Sequence, residues 1–358
     1  MINSHTAVYQ MTQSTTASPA ICAADNSDAS IPDASRLKAG FVARLDDLGL
    51  ISVSGADAIN FIHGQLSNDI ERLKQSEARL AGYSTPKGRL LATLLVWKTP
   101  DRILMQLPRE ILTALQKRLQ MYVLRAKVSL EDVSNQYVML GLGGRLASEA
   151  LAFWFASLPA EPYAKVDAKA GTLIRVADAF GAPRYQWIAS AETANSAWPR
   201  LIATLHALDD SAWRLGDIDA GVPQITAATQ DQFVAQMVNL EVVGGVSFKK
   251  GCYPGQEIIA RSQYLGKTTR RMLPALIELP ADGGATTAFA GSDVFSKSDP
   301  GQPCGMIVSA ERCDAGRITC LVSLKLDMIE KGSIHLGSAD GPALHFGVLP
   351  YALPDAPA

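Results

Sequence analysis

The sequence predicts an α+β fold, because strand-like and helix-like segments alternate and several neighbouring strands are joined by short turns. Hairpin patterns around residues 85–88 and 180–181 place antiparallel strands side by side. Such hairpins disfavour a doubly wound sheet, in which a helix follows each strand. Residues 266–358 instead contain short strands separated by glycines and turns, a pattern typical of a small β-barrel.

Length and composition limit the possible classes of protein. A chain of 358 residues is expected to form two or three packed units. The 47% hydrophobic and 19% charged residues are typical of a globular protein, and a net charge of −2 provides no global basic field for nucleic acid. The longest strongly apolar run, residues 90–97, is too short to span a bilayer.

Localisation in a reducing cytoplasm is predicted from the N-terminus and the cysteines. The first twenty residues show neither a basic region nor an apolar core, so no secretory signal is predicted. The five cysteines form no CxxC pair. Cys304, Cys313 and Cys320 match no common metal signature and are predicted to be small hydrophobic residues in strands.

The chain divides into three predicted parts. Residues 1–35 are rich in serine, threonine, alanine and aspartate without periodicity, so a disordered tail is expected. Residues 36–265 form the α+β region, with subdomains at about 36–130 and 131–265. Residues 266–358 form the C-terminal β-barrel.

Within the first subdomain, alternation predicts a strand over residues 43–55. Ser54, with Asp57 three residues later, predicts a capped helix whose middle is weakened by Gly64. A hairpin with a type I turn at residues 85–88, a strand at 101–107 and a helix at 108–125 follow.

Within the second subdomain, two strands lead to the glycines Gly141 and Gly143. A dinucleotide-binding fingerprint would require a third glycine where Leu146 stands, so a tight strand-to-helix turn is favoured. A hairpin, a helix at 196–208, a loop-rich segment at 213–251 and a helix just after Gly255 are expected to follow.

The stretch KKGCYPGQE at residues 249–257 presents a cysteine in an unusual setting. Two lysines precede Cys252, and a turn at Pro254–Gly255 leads into the predicted helix. Ammonium groups and a helix N-terminus both stabilise a thiolate. These residues alone leave a second interpretation open, a cysteine packed in a loop with solvated lysines, since no histidine lies nearby in the sequence.

KGCYPGQE resembles the signature K-G-C-Y-x-G-Q-E of the YgfZ-type proteins, which are folate-binding relatives of the glycine cleavage T protein, an aminomethyltransferase. The segments FIHGQLSND, YSTPKGRLLATLLVW and GDIDAGVPQI are also similar to this family, in the same order. The resemblance runs from about residue 37 to the end. It implies an aminomethyltransferase-like fold, with two intertwined α+β subdomains and a small C-terminal β-barrel around a central folate pocket.

The resemblance also implies roles for particular residues. Cys252 is the functional thiol, and Glu257 shapes its loop together with neighbours in the motif. Asp219 is expected to bind the pterin edge, since a carboxylate accepts two parallel N–H bonds. Lys87, Arg89 and Arg261 either meet the folate glutamate carboxylates or face solvent. The implied tetrahydrofolate-binding residues are Lys250, Cys252, Tyr253, Gln256, Asp219, Lys87, Arg89 and Arg261.

One departure from the aminomethyltransferases narrows the expected function. Those enzymes carry an Asp-Asp pair where this chain has Ala92 and Thr93, and neither residue can act as an acid or base. The resemblance therefore implies an accessory protein that assembles or repairs iron–sulfur clusters in client enzymes. A radical-SAM tRNA-methylthiolating enzyme is an expected client, so tRNA modification is affected without direct nucleic-acid binding.

Two alternative functions remain open on the sequence. A tetrahydrofolate-dependent aminomethyltransferase would need a carboxylate at the position of Ala92 or Thr93. A thiol redox protein would need a resolving cysteine beside Cys252, and Cys304 to Cys320 are the candidates.

Overall fold

The computed structural model describes residues 32–264, 269–279 and 289–354. Most of the predicted disordered tail, with Cys22, and the predicted boundary at residues 265–266 lie outside the described residues. Asp33 caps the first helix, since its carboxylate accepts the N–H groups of Ser35 and Arg36. No helix in the described ranges has the length and apolar character needed to cross a membrane.

The first part of the chain supplies most of one sheet. Its elements are α1 (Ala34–Ala39), β1 (Phe41–Arg44), β2 (Leu48–Ser54), α2 (Ala58–His63), β3 (Ala78–Ser84), β4 (Leu90–Lys98), β5 (Ile103–Pro108), α3 (Arg109–Gln120) and β6 (Ser129–Asp132). Five strands form an antiparallel sheet in the order β3-β4-β5-β2-β6, which we call the first sheet. The apolar face of α3, with Ile111, Leu112 and Leu115, packs into its core.

The next part forms a second sheet that also takes in the first strand of the chain. Its elements are β7 (Val138–Gly143), α4 (Ala147–Leu151), β8 (Lys165–Ala168), β9 (Gly171–Ala179), β10 (Ala182–Ala189), α5 (Ala191–Ile202), β11 (His206–Leu208), α6 (Ser211–Asp219) and α7 (Gln256–Tyr264). The order of this second sheet is β11-β1-β7-β10-β9-β8. Because β1 lies between β11 and β7, the two halves intertwine, and the division at about residue 130 stays a prediction.

The C-terminal part is a curled half-barrel. Its elements are β12 (Arg270–Glu278), β13 (Asp293–Ser296), β14 (Asp299–Asp314), β15 (Arg317–Lys325), α8 (Asp327–Lys331), β16 (Ile334–Leu336) and β17 (Leu344–Phe346). The strand order is β16-β13-β14-β15-β12-β17. Register shifts along β14 bend the sheet. As predicted, Cys304, Cys313 and Cys320 are buried in strands. The predicted α+β class is confirmed.

Several local predictions are wrong in instructive ways. Ser54 does not cap a helix, because its backbone pairs with Ser129 as the end of β2. Asp57 precedes α2 but makes no capping bond; its carboxylate accepts the N–H of Lys127 instead. The strand predicted over residues 43–55 is two strands separated by a turn, and they join different sheets. The segment expected to be loop-rich begins within α6.

Candidate functional site

The KKGCYPGQE loop is held by two of the segments that the sequence singled out. The hydroxyl of Ser67 donates to the carbonyl of Gly245 and accepts the N–H of Gly82. The amide of Asn68 donates to the carbonyls of Gly244 and Leu80, each at 2.7 Å. The chain that leads into the loop is therefore fixed to β3 and to the segment after α2.

The loop also contacts the β3–β4 turn directly through two glycines. Gly255 has a φ of +82°, and a β-carbon there would lie 2.6 Å from both the Cα of Gly88 and the carbonyl oxygen of Thr85. A β-carbon on Gly88 would in turn lie 3.0 Å from the Cβ of Ile258. These backbones approach closely because neither residue has a side chain.

Lys250 turns inward. Its ammonium donates to the carbonyls of His63 and Leu66, the second at 2.7 Å, and lies 4.7 Å from the centre of the Tyr253 ring. Burial lowers the pKa of Lys250 to about 8. Lys250 thus binds main-chain carbonyls at and just beyond the end of α2, a role that the sequence did not predict.

Cys252 is exposed and lies four residues before α7, the helix that was predicted to follow the loop. The other described cysteines, Cys304, Cys313 and Cys320, are buried in the C-terminal sheet. The described part of the chain contains no disulfide.

His63 lies beside the loop, although 188 positions separate it from Gly251 in the sequence. Its Nε2 lies 3.8 Å from the position of a β-carbon on Gly251. Its Nδ1 accepts the N–H of Glu71 and lies 3.4 Å from a carboxylate oxygen of Asp69. Burial, together with the ammonium of Lys250, lowers the pKa of His63. The neutral ring therefore carries its hydrogen on Nε2, towards the loop. The resemblance of FIHGQLSND was the one signal that could have found this residue.

The other candidates are arranged around the loop with different exposures. Tyr253 is buried, and this burial raises its pKa to about 12. Lys87 is exposed on the β3–β4 turn, and Arg261 is exposed in the last turn of α7. Arg89 is half-buried and donates to the carbonyl of Gln232. Gln256 is the first residue of α7 and is half-buried.

A separate central cavity of about 70 Å³ lies between the first and second sheets and opens to solvent. Its lining includes Gln106 and Gln186, whose amides bond each other. It also includes Asp217, which accepts a 2.9 Å bond from the buried guanidinium of Arg184. Among the described residues that line this cavity, Asp217 has the only carboxylate. Lys250 and Cys252 are not part of its lining.

Ala92 and Thr93 stand at the predicted positions of the Asp-Asp pair, and of these two residues only Thr93 lines the central cavity. Its hydroxyl accepts the N–H of Ile225 at 3.0 Å. Ala92 is fully buried in the core on the other face of the first sheet, as expected for neighbours along a strand.

Asp219 is brought neither to the loop nor to the central cavity. It is the last residue of α6 and lines a different cavity, where its carboxylate accepts the N–H of Phe180 at 2.6 Å. Burial raises its pKa. Asp217, two positions earlier, lies at the central cavity because residues two apart on a helix face different directions. Without the helix, the sequence did not distinguish the two carboxylates.

Comparisons with known proteins identify the family and the fold of the chain. No protein-family model matches the chain. The tRNA-modifying protein YgfZ of Shigella sonnei (strain Ss046) is 30% identical over 310 residues, which cover 86% of this chain and 92% of that protein. The solved structure of the glycine cleavage system aminomethyltransferase T from Bartonella henselae has a TM-score of 0.70 and 16% identity, with 88% of each chain covered. That likeness shows a shared fold.

Proposed function

The chain belongs to the YgfZ family, and from that premise we propose that it is a folate-binding accessory protein for iron–sulfur enzymes. Its proposed task is the assembly or repair of clusters in client enzymes. The observation that carries the proposal is the central cavity, which offers polar groups for a ligand while Thr93 stands at the position of a catalytic acid.

The lining of the central cavity fits the chemistry of a pterin ring. The amides of Gln106 and Gln186 offer both donors and acceptors, and Asp217 offers a carboxylate to N–H groups. The cavity volume of about 70 Å³ is less than the roughly 150 Å³ that holds one benzene ring. We therefore propose that folate lies partly in the mouth of the cavity. Tetrahydrofolate supplies one-carbon chemistry when bound, and the side chains described here hold and orient it.

We propose that residues at and beside the KKGCYPGQE loop also contribute to folate binding. Lys87 and Arg261 are the exposed cations that suit the glutamate carboxylates of folate. Lys250, Tyr253, Gln256 and Arg89 support the loop and its neighbours. Asp219 is left out of the proposed folate site, because it lines a different cavity.

Aminomethyl transfer is not part of the proposed function. The hydroxyl of Thr93 is a poor acid or base and already accepts a backbone N–H. The carboxylate of Asp217 is already engaged by the guanidinium of Arg184 at 2.9 Å, although burial raises the pKa of this carboxyl. The aminomethyltransferase alternative predicts methylenetetrahydrofolate from tetrahydrofolate and the aminomethyl-loaded lipoyl carrier. We expect none, and robust formation would establish that alternative.

We propose that the thiol of Cys252 contacts the client enzyme. This thiol is exposed on a loop that is held by the segment after α2 and by the β3–β4 turn, so a protein surface can reach it without unfolding the loop. A reducing cytoplasm would keep this thiol free. The proposed clients include a radical-SAM tRNA-methylthiolating enzyme, through which the protein would affect tRNA modification.

Calorimetry with tetrahydrofolate separates the folate role from the thiol role. We expect Gln186→Leu to weaken binding about tenfold, because one hydrogen-bonding group of the cavity is lost. Cys252→Ala should bind folate as the native protein does, yet fail to restore cluster-dependent enzyme activity in a deletion strain. Absence of tetrahydrofolate binding to the native protein would refute the folate role. Full restoration by Cys252→Ala would refute the role of the thiol.

A further inference from the structure

A second cavity lies away from both the loop and the central cavity. It encloses about 160 Å³ where α1 and α6 meet β12 and the end of β17. It shares no lining residue with the central cavity. Its volume is similar to the roughly 150 Å³ that accommodates one benzene ring in an engineered protein cavity.

Hydrocarbon forms most of the walls of this α1–α6 cavity. The apolar lining includes Leu37 from α1, Leu215 and Ile218 from α6, Leu276 from β12, and the rings of Phe180 and Phe346. Ligand sites combine such walls with a small number of placed polar groups. A ring of benzene size would therefore replace water against apolar surface.

Asp219 is the charged group in this lining. Phe180 donates the one hydrogen bond that the described residues make to its carboxylate. A carboxylate has acceptor sites for about four hydrogen bonds. Arg184 and Lys38 are the cations whose charges reach it, but Arg184 is paired with Asp217 and Lys38 is exposed to solvent. Asp219 thus retains acceptor capacity at a mostly apolar cavity, whose lining also includes Thr319 and His345.

We propose that the α1–α6 cavity binds a second small ligand, a single-ring amine or amidine whose N–H groups are received by Asp219. The ring contacts the leucine, isoleucine and phenylalanine side chains, and the cationic head makes charge-assisted hydrogen bonds to the carboxylate. This site is independent of the proposed folate site, because no residue is shared between the two linings.

Benzamidine is a suitable probe, since it joins one ring to a planar pair of N–H donors. We expect the full chain to bind benzamidine in calorimetry. Asp219→Asn should weaken this binding about tenfold, because a charge-assisted bond is lost. The asparagine oxygen can still accept the N–H of Phe180, so the fold is retained. Toluene binding, followed by NMR, should stay within about twofold in this variant because it depends on the walls alone.

Ala34→Phe tests the cavity itself, because Ala34 lines it from the first turn of α1. The added ring should reduce the binding of both probes about tenfold or more while tetrahydrofolate binding is unchanged. Circular dichroism checks that each variant is folded. The proposal is overturned if the native chain does not bind benzamidine, or if Asp219→Asn or Ala34→Phe binds it as the native chain does. If only tetrahydrofolate binding failed, the proposed folate role would be refuted, and the benzamidine measurements would still test the α1–α6 cavity.

Discussion

The ammonium of Lys250 shows how one side chain in a sequence motif can serve the fold. It binds the carbonyls of His63 and Leu66, so it joins the loop of Cys252 to the end of α2. Lys249, its neighbour in the sequence, is exposed. Their charges alone do not distinguish the two lysines beside Cys252. The family signature includes Lys250, and the fold shows that this lysine turns inward.

The first prediction concerns this pair of lysines. Lys250→Met keeps an unbranched apolar stem and removes the ammonium, so two carbonyls lose a charged donor. We expect the free energy of unfolding to fall by about 1.5–3 kcal/mol. Lys249→Met is the matched control and should change it by less than about 0.5 kcal/mol. Urea titration measures both, and equal effects of the two variants would contradict the structural role.

A second prediction at the residue scale concerns pH. Lys250, Lys98, Asp69 and Glu71 surround His63, whose pKa lies below the ordinary value of 6.5 in the folded protein. As the pH falls below 6.5, this histidine therefore binds a proton in the unfolded chain before it does so in the folded protein. This proton uptake favours the unfolded state, so the contribution of His63 to stability decreases.

We expect the stability difference between the native protein and His63→Gln to shrink as the pH falls from 7.5 to 5.5. Urea titrations at the two pH values measure it. His206→Gln, at an exposed position on β11, is the control and should follow the native protein. A difference that is constant or grows on acidification would disprove the assignment.

At the scale of elements, the contact between the loop and the β3–β4 turn depends on glycine for two separate reasons. Gly255 combines a positive φ with close neighbours, whereas Gly181 has a φ of +74° and no atom within 4 Å of an added β-carbon. The two positions therefore separate the cost of the backbone conformation from the cost of contact.

We expect Gly181→Ala to lower the free energy of unfolding by about 1–2 kcal/mol, the cost of the left-handed conformation. Gly255→Ala should lower the free energy of unfolding by about 1–3 kcal/mol more than Gly181→Ala does, because the new methyl group would displace the β3–β4 turn. Amide hydrogen exchange should also show lower protection at the start of β4 in this variant alone. Equal unfolding free energies of the two variants would show that the contact is unimportant.

The elements also show what a sequence can and cannot reveal. The β3–β4 hairpin was predictable because Pro86 and Gly88 determine its turn locally, and α3 because its apolar residues recur at helical spacing. The end of β2 was not predictable, because serine is a common helix N-cap and the strand partner of Ser54, Ser129, is distant in the sequence. The separation of Asp217 from Asp219 depends on the orientation of α6, which is set by tertiary packing.

On the scale of the whole molecule, three parts meet at Arg214 of α6. Its guanidinium bonds Asp47 in the β1–β2 turn at 2.8 Å, Asp210 at 2.9 Å and Glu311 of β14 at 2.6 Å. Exposed ion pairs contribute measurably to stability mainly when several charges form such a network, and the side chain of Arg214 is 32% exposed. It links the C-terminal half-barrel to the two intertwined sheets.

Arg214→Met should therefore weaken the docking of the half-barrel more than the sheets themselves. We expect the free energy of unfolding to fall by about 1–3 kcal/mol, since three carboxylates lose their shared cation and solvent screens part of the loss. Hydrogen exchange should rise first in β14, while the β3–β4 pair stays protected. Arg312→Met, at an exposed position on the same strand, is the control and should leave both measurements near native. If exchange rose equally in all three sheets, Arg214 would support global stability rather than the docking of the half-barrel.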